Sequence, residues 1–254
     1  MATPVSIERT TADGSANGSP VRPGAASFEV IEPATGAVIA TQKADDARAV
    51  AAAARRLREA QRTWEDIGHD GRQAWLSLWR EWILDNNDRV SDLLQAETGK
   101  VRQEAASEAP YIADAINYYA KQAPRFLADE QVTAHNPLLR GKELKLIYRP
   151  FPLVGIISPW NFPILLSVGD AIPALAAGCS VLLKPSEFTP LAAVELVRGW
   201  TEDVGGPGVI EVVNGAAEPA VALIDESDFV QFTGSVSTAK KVMARAAETL
   251  TPIS

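Results

Sequence analysis

The sequence predicts an α/β fold: a Rossmann-like, doubly wound parallel sheet, incomplete, preceded by a helical region that carries a β-hairpin and an oligomerisation-type strand. Three observations lead there. Leu153-Val154-Gly155-Ile156-Ile157-Ser158 and Val181-Leu182-Leu183-Lys184 are bounded apolar runs, the pattern of strands buried on both faces. The small-residue segment 164–177 between them is long enough, as a helix, to cross over to a parallel neighbour. Strand-like and helix-like segments then keep alternating to residue 248, and a doubly wound sheet is the consistent solution.

Taken in order, residues 1–26 are rich in Thr, Ala, Ser, Gly and Pro with almost nothing to bury, so a disordered arm is expected there. Residues 27–150 are expected to form the helical and hairpin region. Phe28-Glu29-Val30-Ile31 and Val38-Ile39-Ala40 flank Pro33-Ala34-Thr35-Gly36, in which proline presets a turn and glycine supplies positive φ. Asp45 or Asp46 then N-caps a helix with Ala47, Val50, Ala51, Ala54, Leu57 and Trp64 along one side. Trp75, Leu78, Trp79, Trp82 and Ile83 repeat that spacing in a second helix, as a packing stripe. Leu93, Leu94 and Ala96 mark a third, ended by Gly99; Ile112, Ala115, Ile116 and Tyr119 mark a fourth, which Pro110 starts or kinks. Leu144, Leu146 and Tyr148 alternate with Glu143, Lys145 and Arg149, the pattern of a half-exposed strand that pairs at an edge or projects toward another subunit.

Residues 151–254 are expected to form the nucleotide-binding part, entered through Pro150 to Pro152, where alternation gives way to continuous apolar strands. Beyond Glu187 come a helix over 191–204 ended by Gly205-Gly206, a strand over 208–213 closing at Asn214-Gly215, a helix over 217–224, a strand over 228–232, and, after Thr233-Gly234-Ser235, a helix over 236–248.

Composition narrows the partners. A net charge of -8 leaves no cationic excess to neutralise phosphates, which argues against nucleic acid and anionic membranes. The cluster Arg55, Arg56 and Arg58 reads as a solvated helix face. Nowhere do eighteen apolar residues run together and residues 1–10 lack a signal-peptide core, so a cytoplasmic protein is expected. Cys179 is the single cysteine; a small buried side chain is the favoured reading over a nucleophile, since nothing local places a base beside it. His69 and His135 are isolated and make no metal-binding pattern.

The polar residues at the carboxyl ends of the strands carry the chemistry, because ligands sit there in parallel sheets. Asn161 either closes an Asx turn or aims an amide at a developing oxyanion. Lys184 and Glu187 either pair on the surface or grip adjacent hydroxyls of a ribose, the carboxylate repelling a 2′-phosphate. Gly234-Ser235 either forms an ordinary N-cap or binds a phosphate at a positive helix end; no Gly-x-Gly-x-x-Gly is present.

Pro159-Trp160-Asn161-Phe162-Pro163, Lys184-Pro185-Ser186-Glu187, Asn214-Gly215 and Phe232-Thr233-Gly234-Ser235, in this order and spacing, resemble the aldehyde dehydrogenase superfamily, and the likeness extends from the hairpin to the last residue. The resemblance implies an NAD-dependent oxidation of an aldehyde to a carboxylic acid by a homo-oligomer, dimer or tetramer, with NADP the less expected cofactor and a broad-specificity or semialdehyde-type substrate range. It implies that Asn161 stabilises a thiohemiacetal oxyanion, that Lys184 and Glu187 hold the adenosine ribose, and that Ser235 and the Gly234 amide hold the pyrophosphate. Trp160 and the main chain of Ile157, Ser158 and Pro159 would line the nicotinamide path, and Gly215 would permit close approach at the adenosine end. Pro185, Ser186 and Thr238 fall within the same cofactor motifs. Ala239 stands where many members have a second glycine of the phosphate turn.

The family also uses a cysteine nucleophile and a glutamate base. Both belong to segments beyond the one that Thr251-Pro252-Ile253-Ser254 begins, and Cys179 matches a structural position. The expectation is therefore the N-terminal half of such an enzyme, inactive alone, with a bare sheet edge beside 229–232 and poor stability. A non-catalytic nucleotide-binding or interaction remnant is the alternative.

Overall fold

A computed structural model describes residues 26–139 and 141–254; the expected arm lies, but for Ala26, outside the described residues. β1 (Ser27–Ile31) and β2 (Val38–Lys43) form the antiparallel hairpin, with Gly36 at φ 73° in its turn. Asp46 caps α1 (Ala47–Asp66), its carboxylate accepting the Ala49 amide at 2.8 Å, a contact worth about 1 kcal/mol. Val50, Ala54, Leu57 and Trp64 face the core as expected, joined by Ala53.

α2 (Gly68–Asp85) corrects one assignment: Leu76, Trp79 and Ile83 are buried, while Leu78 is 52% exposed. A stripe through Trp79 and Ile83 runs back to Leu76 and Arg72 at helical spacing, and Leu78 lies on the far side of it. α3 (Asn87–Thr98) ends at Gly99, which takes φ 73°. α4 (Arg102–Phe126) begins well before Pro110, so that proline sits inside the helix on its exposed side and does not start it. β4 (Leu144–Leu146) is shorter than its alternation suggested and pairs antiparallel with β3 (Glu130–Val132), a partner the sequence did not reveal because its three residues are too few for a period.

Residues 151–254 follow the predicted alternation: β5 (Leu153–Ile157), α5 (Val168–Ala177), β6 (Ser180–Lys184), α6 (Leu191–Arg198) running into a π-helical turn (Gly199–Asp203), β7 (Ile210–Val212), α7 (Ala217–Glu226), β8 (Phe229–Phe232) and α8 (Val236–Thr249). α5 starts later than residue 164. Its preceding turn is fixed instead by side chains, the Ser167 hydroxyl donating to the Pro163 carbonyl and Glu108 accepting the amides of Ile164 and Leu165 at 3.3 Å each.

All four strands are parallel, in the order β7-β6-β5-β8. The first two crossovers move outward from β5 and the third carries the chain back to its other edge, so the winding reverses between β5 and β8. Leu153, Ile157, Leu182 and Val230 pack under α1, α7 and α8; Val154, Ile156, Val181 and Leu183 pack under α5 and α6, with α2 to α4 continuing that core. On that side Trp64, Trp75 and Trp79 gather around Trp200, with ring centroids 5.1–6.2 Å apart. The bare edge expected beside β8 is corrected. Residues 251–254 run parallel to it, with Val230 N donating to Pro252 O at 2.9 Å and Phe232 N to Ser254 O at 3.0 Å.

Gly155 shows how tightly β5 is packed, since a Cβ there would lie 2.3 Å from Ser227 Oγ and 2.4 Å from Leu223 Cδ2. Gly155→Ala is expected to lower the unfolding free energy by about 1–3 kcal/mol through overpacking, whereas Gly208→Ala, with nothing within 4 Å, stays within about 0.5 kcal/mol of wild type. Urea unfolding of both variants checks this; equal midpoints would show that β5 has slack.

Candidate functional site

The winding reverses between β5 and β8, and open α/β sheets bind ligands outside the carboxyl ends of the strands at such a point. Main-chain bonds hold the rim together. Ser158 N donates to Lys184 O at 3.2 Å, joining the ends of β5 and β6, and Thr233 N donates to Ile157 O at 3.0 Å, joining β8 to β5. Val213 N reaches Leu183 O at 2.9 Å from the β7 side. The segments that follow these four ends are those the sequence singled out: Ser158 to Asn161, Lys184 to Glu187, Asn214-Gly215, and Gly234 to Thr238.

Lys184 is not half of an exposed pair: the residue is 4% exposed. Its ammonium donates to the carbonyls of Pro185 and Gly215 at 2.7 Å each and stands 3.7 Å from Glu187 Oε2. Burial lowers its pKa to about 8 against the pull of the Glu187 carboxylate. One cation thus ties the loop after β6 to the loop after β7. Gly215 takes φ 132°, and a Cβ there would meet Pro219 Cγ at 2.9 Å, so only glycine lets the two loops close. Ser186 is buried and its hydroxyl accepts the Phe188 amide at 3.3 Å; Pro185 is buried beside it.

Asn161 is exposed, and among the described residues its side-chain amide has no hydrogen-bond partner, so the Asx turn is not made. Trp160 beside it is 59% exposed, and its carbonyl accepts the Thr189 hydroxyl at 3.3 Å, which fastens the loop after β5 to that after β6. Ser158 Oγ and Asn214 Oδ1 are buried without partners, at the ends of β5 and β7. Such orphaned polar atoms cost free energy unless a ligand or water meets them, and their place on the rim fits a polar, hydroxyl-bearing ligand such as a nucleotide. Ser235 caps α8, its hydroxyl accepting the Thr238 amide at 3.2 Å, and Gly234, Ser235 and Thr238 are all exposed at this positive helix end, where an anion is well bound.

Cys179 lies elsewhere, in an open groove of about 340 Å³ with Phe151, Asp170, Phe229 and Gln231. Burial pushes its thiol up to about 11, so it stays protonated at neutral pH and supplies no thiolate.

Three acidic residues that brace the rim escaped the sequence reading. Asp45 Oδ2 accepts the Asn214 amide at 2.8 Å, and Glu108 holds the turn after Asn161. Glu97 accepts the amides of Leu191 and Ala192, at 2.6 and 3.1 Å, at the start of α6. One signal was present: Glu108 sits on the apolar stripe of Ala105, Ala109 and Ile112, where a charge has to find a partner. Burial raises Glu97 from 4.5 to about 8, the two amides opposing it. The folded state then binds more protons than the unfolded chain between those values, so this contribution to stability is full below 4.5 and is lost as pH rises through about 8. The expected result is a thermal midpoint that falls from about pH 5 to about pH 8 in wild type, and falls less in Glu97→Gln. Parallel profiles would dismiss Glu97 as the titrating group.

A four-stranded parallel sheet with helices on both faces and a reversal of winding defines the class: an α/β protein of Rossmann-like fold. Within that class the chain belongs to the aldehyde dehydrogenase family, whose pattern matches residues 21–254. It is 34% identical over 236 residues to the mitochondrial succinate-semialdehyde dehydrogenase of Arabidopsis thaliana, covering 89% of this chain and 43% of that protein. It is 37% identical over 216 residues to a putative NADP(+) succinate-semialdehyde dehydrogenase of Mycolicibacterium smegmatis, covering 81% and 40%. Among solved structures, betaine aldehyde dehydrogenase from Staphylococcus aureus in complex with NAD+ superposes with a TM-score of 0.82 at 28% identity, covering 92% of this chain and 47% of that one. The chain therefore spans about half the length of the relatives it matches. No helix among the described residues is long and apolar enough to cross a membrane.

Proposed function

We propose that residues 151–254 form the cofactor-binding part of an NAD-dependent aldehyde dehydrogenase that converts an aldehyde to a carboxylic acid. The observation that supports the reading is that an unpartnered Asn161 amide, the orphaned Ser158 hydroxyl and the buried Lys184 ammonium all fall at the carboxyl ends of the adjacent strands β5 and β6. When bound, the nicotinamide supplies the acceptor for the hydride that leaves the aldehyde carbon. Asn161 donates its amide N–H to the carbonyl oxygen as negative charge gathers there. Lys184 and Glu187 hold the ribose hydroxyls of the adenosine, with Pro185, Ser186 and Gly215 forming the floor. The Gly234 amide, Ser235 and Thr238 receive the pyrophosphate, while Ile157, Ser158, Pro159 and Trp160 border the nicotinamide. The one cysteine present is a buried thiol, so Cys179 is not assigned the role of nucleophile.

NAD is preferred over NADP because the Glu187 carboxylate, 3.7 Å from the ammonium it orients, would repel a phosphate on the ribose 2′ oxygen. The exposed ribbon of β3 and β4, with Leu146, Ile147 and Tyr148 outward, is the surface for pairing with a second copy; a sedimentation run that finds only monomers of the whole enzyme would refute that. The single cysteine fits a reducing compartment such as the cytoplasm, which cell fractionation checks.

The deciding experiment is a tryptophan-fluorescence titration with NADH and NADPH. Saturable quenching by NADH is expected, with weaker binding of NADPH, and Glu187→Gln should narrow the gap. Absence of binding by either nucleotide, or equal affinities in both proteins, would defeat the corresponding part of the reading. The 254-residue chain alone should form no NADH from aldehyde and NAD; turnover that survives Cys179→Ala would show that the nucleophile lies within it.

A further inference from the structure

We propose that Lys100 and Glu108, both supplied by the helical layer, are positioning residues that fix the loop presenting Asn161; the catalytic side of this inference rests on the function proposed above. Glu108 lies on α4 and is buried. One carboxylate oxygen accepts the amides of Ile164 and Leu165 at 3.3 Å, immediately after Pro163, and the other accepts the Lys100 ammonium at 2.5 Å. The same ammonium stands 3.9 Å from the centroid of the Phe162 ring, the residue next to Asn161. Three consecutive features of the loop, the Phe162 ring and two successive main-chain amides beyond Pro163, are therefore held by one ion pair that belongs to another part of the chain.

The arrangement suits positioning. Asn161 is exposed and unpartnered, so nothing on its own side chain fixes where its amide points. Pro159 and Pro163 restrict φ at either end of the loop, but proline has no N–H with which to anchor it. Glu108 supplies the missing anchor by taking amides that α5, which starts only at Val168, does not use. Lys100 answers the buried carboxylate, which would otherwise be costly, and adds a cation–π contact to the ring beside Asn161. Moving a catalytic donor by about 1 Å costs on the order of 10²-fold in rate, so a loop held this way governs kcat more than binding.

Two measurements test the clamp together. Amide exchange on the 254-residue chain should show Ile164 and Leu165 exchanging about tenfold faster in Glu108→Gln, with Leu182 and Leu183 in β6 unchanged. In the enzyme with the family's full set of domains, Glu108→Gln should lower kcat at least about tenfold while the NADH dissociation constant moves less than about twofold. Lys100→Arg keeps charge and cation–π contact and should retain most of kcat; Lys100→Met should not. Added to Asn161→Ala, Glu108→Gln should cost less than about a further twofold, because its effect passes through Asn161. Unchanged exchange at Ile164 and Leu165, equal acceleration in β6, or additive losses in the double variant would each overturn the proposal. A whole enzyme that oxidises no aldehyde would remove the functional reading and the catalytic role with it, and the exchange pattern would still decide whether the clamp exists.

Discussion

Asn161→Ala is expected to lower kcat for aldehyde oxidation by about 10²- to 10³-fold while leaving the NADH dissociation constant within about twofold of wild type. The amide faces solvent with no partner among the described residues, so removing it leaves no buried group unsatisfied and the fold loses little. On the function proposed above, its worth appears only when the carbonyl oxygen gains charge, which would make it an interaction of the transition state and not of the bound substrate. Asn161→Asp should be worse than alanine, because a carboxylate at the same place repels the developing oxyanion. Steady-state kinetics on the whole enzyme, paired with a nucleotide titration, separate the two effects. A loss confined to KM, or an aspartate variant as active as wild type, would remove Asn161 from the chemistry.

The parts of this site legible in the sequence were those whose local pattern is enforced by the backbone. Continuous apolar runs are required of strands covered on both faces, so β5 and β6 declare themselves, and with them the residues at their ends. Gly215 and Gly99 are legible because their positive φ excludes most other residues. What the sequence hid is long-range. Glu97 reaches the start of α6 and Asp45 reaches Asn214, each across a large separation in the chain, and nothing in the neighbouring residues announces a partner of that kind. The ambiguity at Lys184 had the same origin. A lysine followed by a carboxylate on the next turn looks alike exposed or buried, and only the Gly215 carbonyl, delivered by another loop, distinguishes the two. Leu78 was misplaced for a different reason: in α2 tryptophans crowd both sides of the stripe, and an apolar residue next to them matches the period without lying on it.

Lys184→Met should cost about 2–6 kcal/mol of stability and weaken NADH binding by at least about tenfold. The stability term follows from two carbonyls, of Pro185 and Gly215, that lose their donor at a buried site, at about 1–3 kcal/mol each; Glu187 is part-exposed and water relieves it, so it adds little. On the function proposed above, the binding term follows from the lost charged hydrogen bond to a ribose hydroxyl and from the release of the Gly215 loop. pH provides a test that a purely structural lysine would not meet. The folded pKa of about 8 lies below the ordinary 10.5, so between those values the unfolded chain binds more protons and this contribution to stability grows as pH rises, being lost as pH falls through about 8. Affinity should run the other way: above about 8 the neutral amine keeps only two N–H groups, both engaged by the carbonyls at 2.7 Å, and none remains for the ribose. Wild type should therefore bind NADH more weakly at about pH 9.5 than at about pH 7 even as the lysine's share of folding stability increases, and Lys184→Met should show neither trend. Parallel changes in both proteins would assign the pH dependence to another group and leave Lys184 as a fastening between loops.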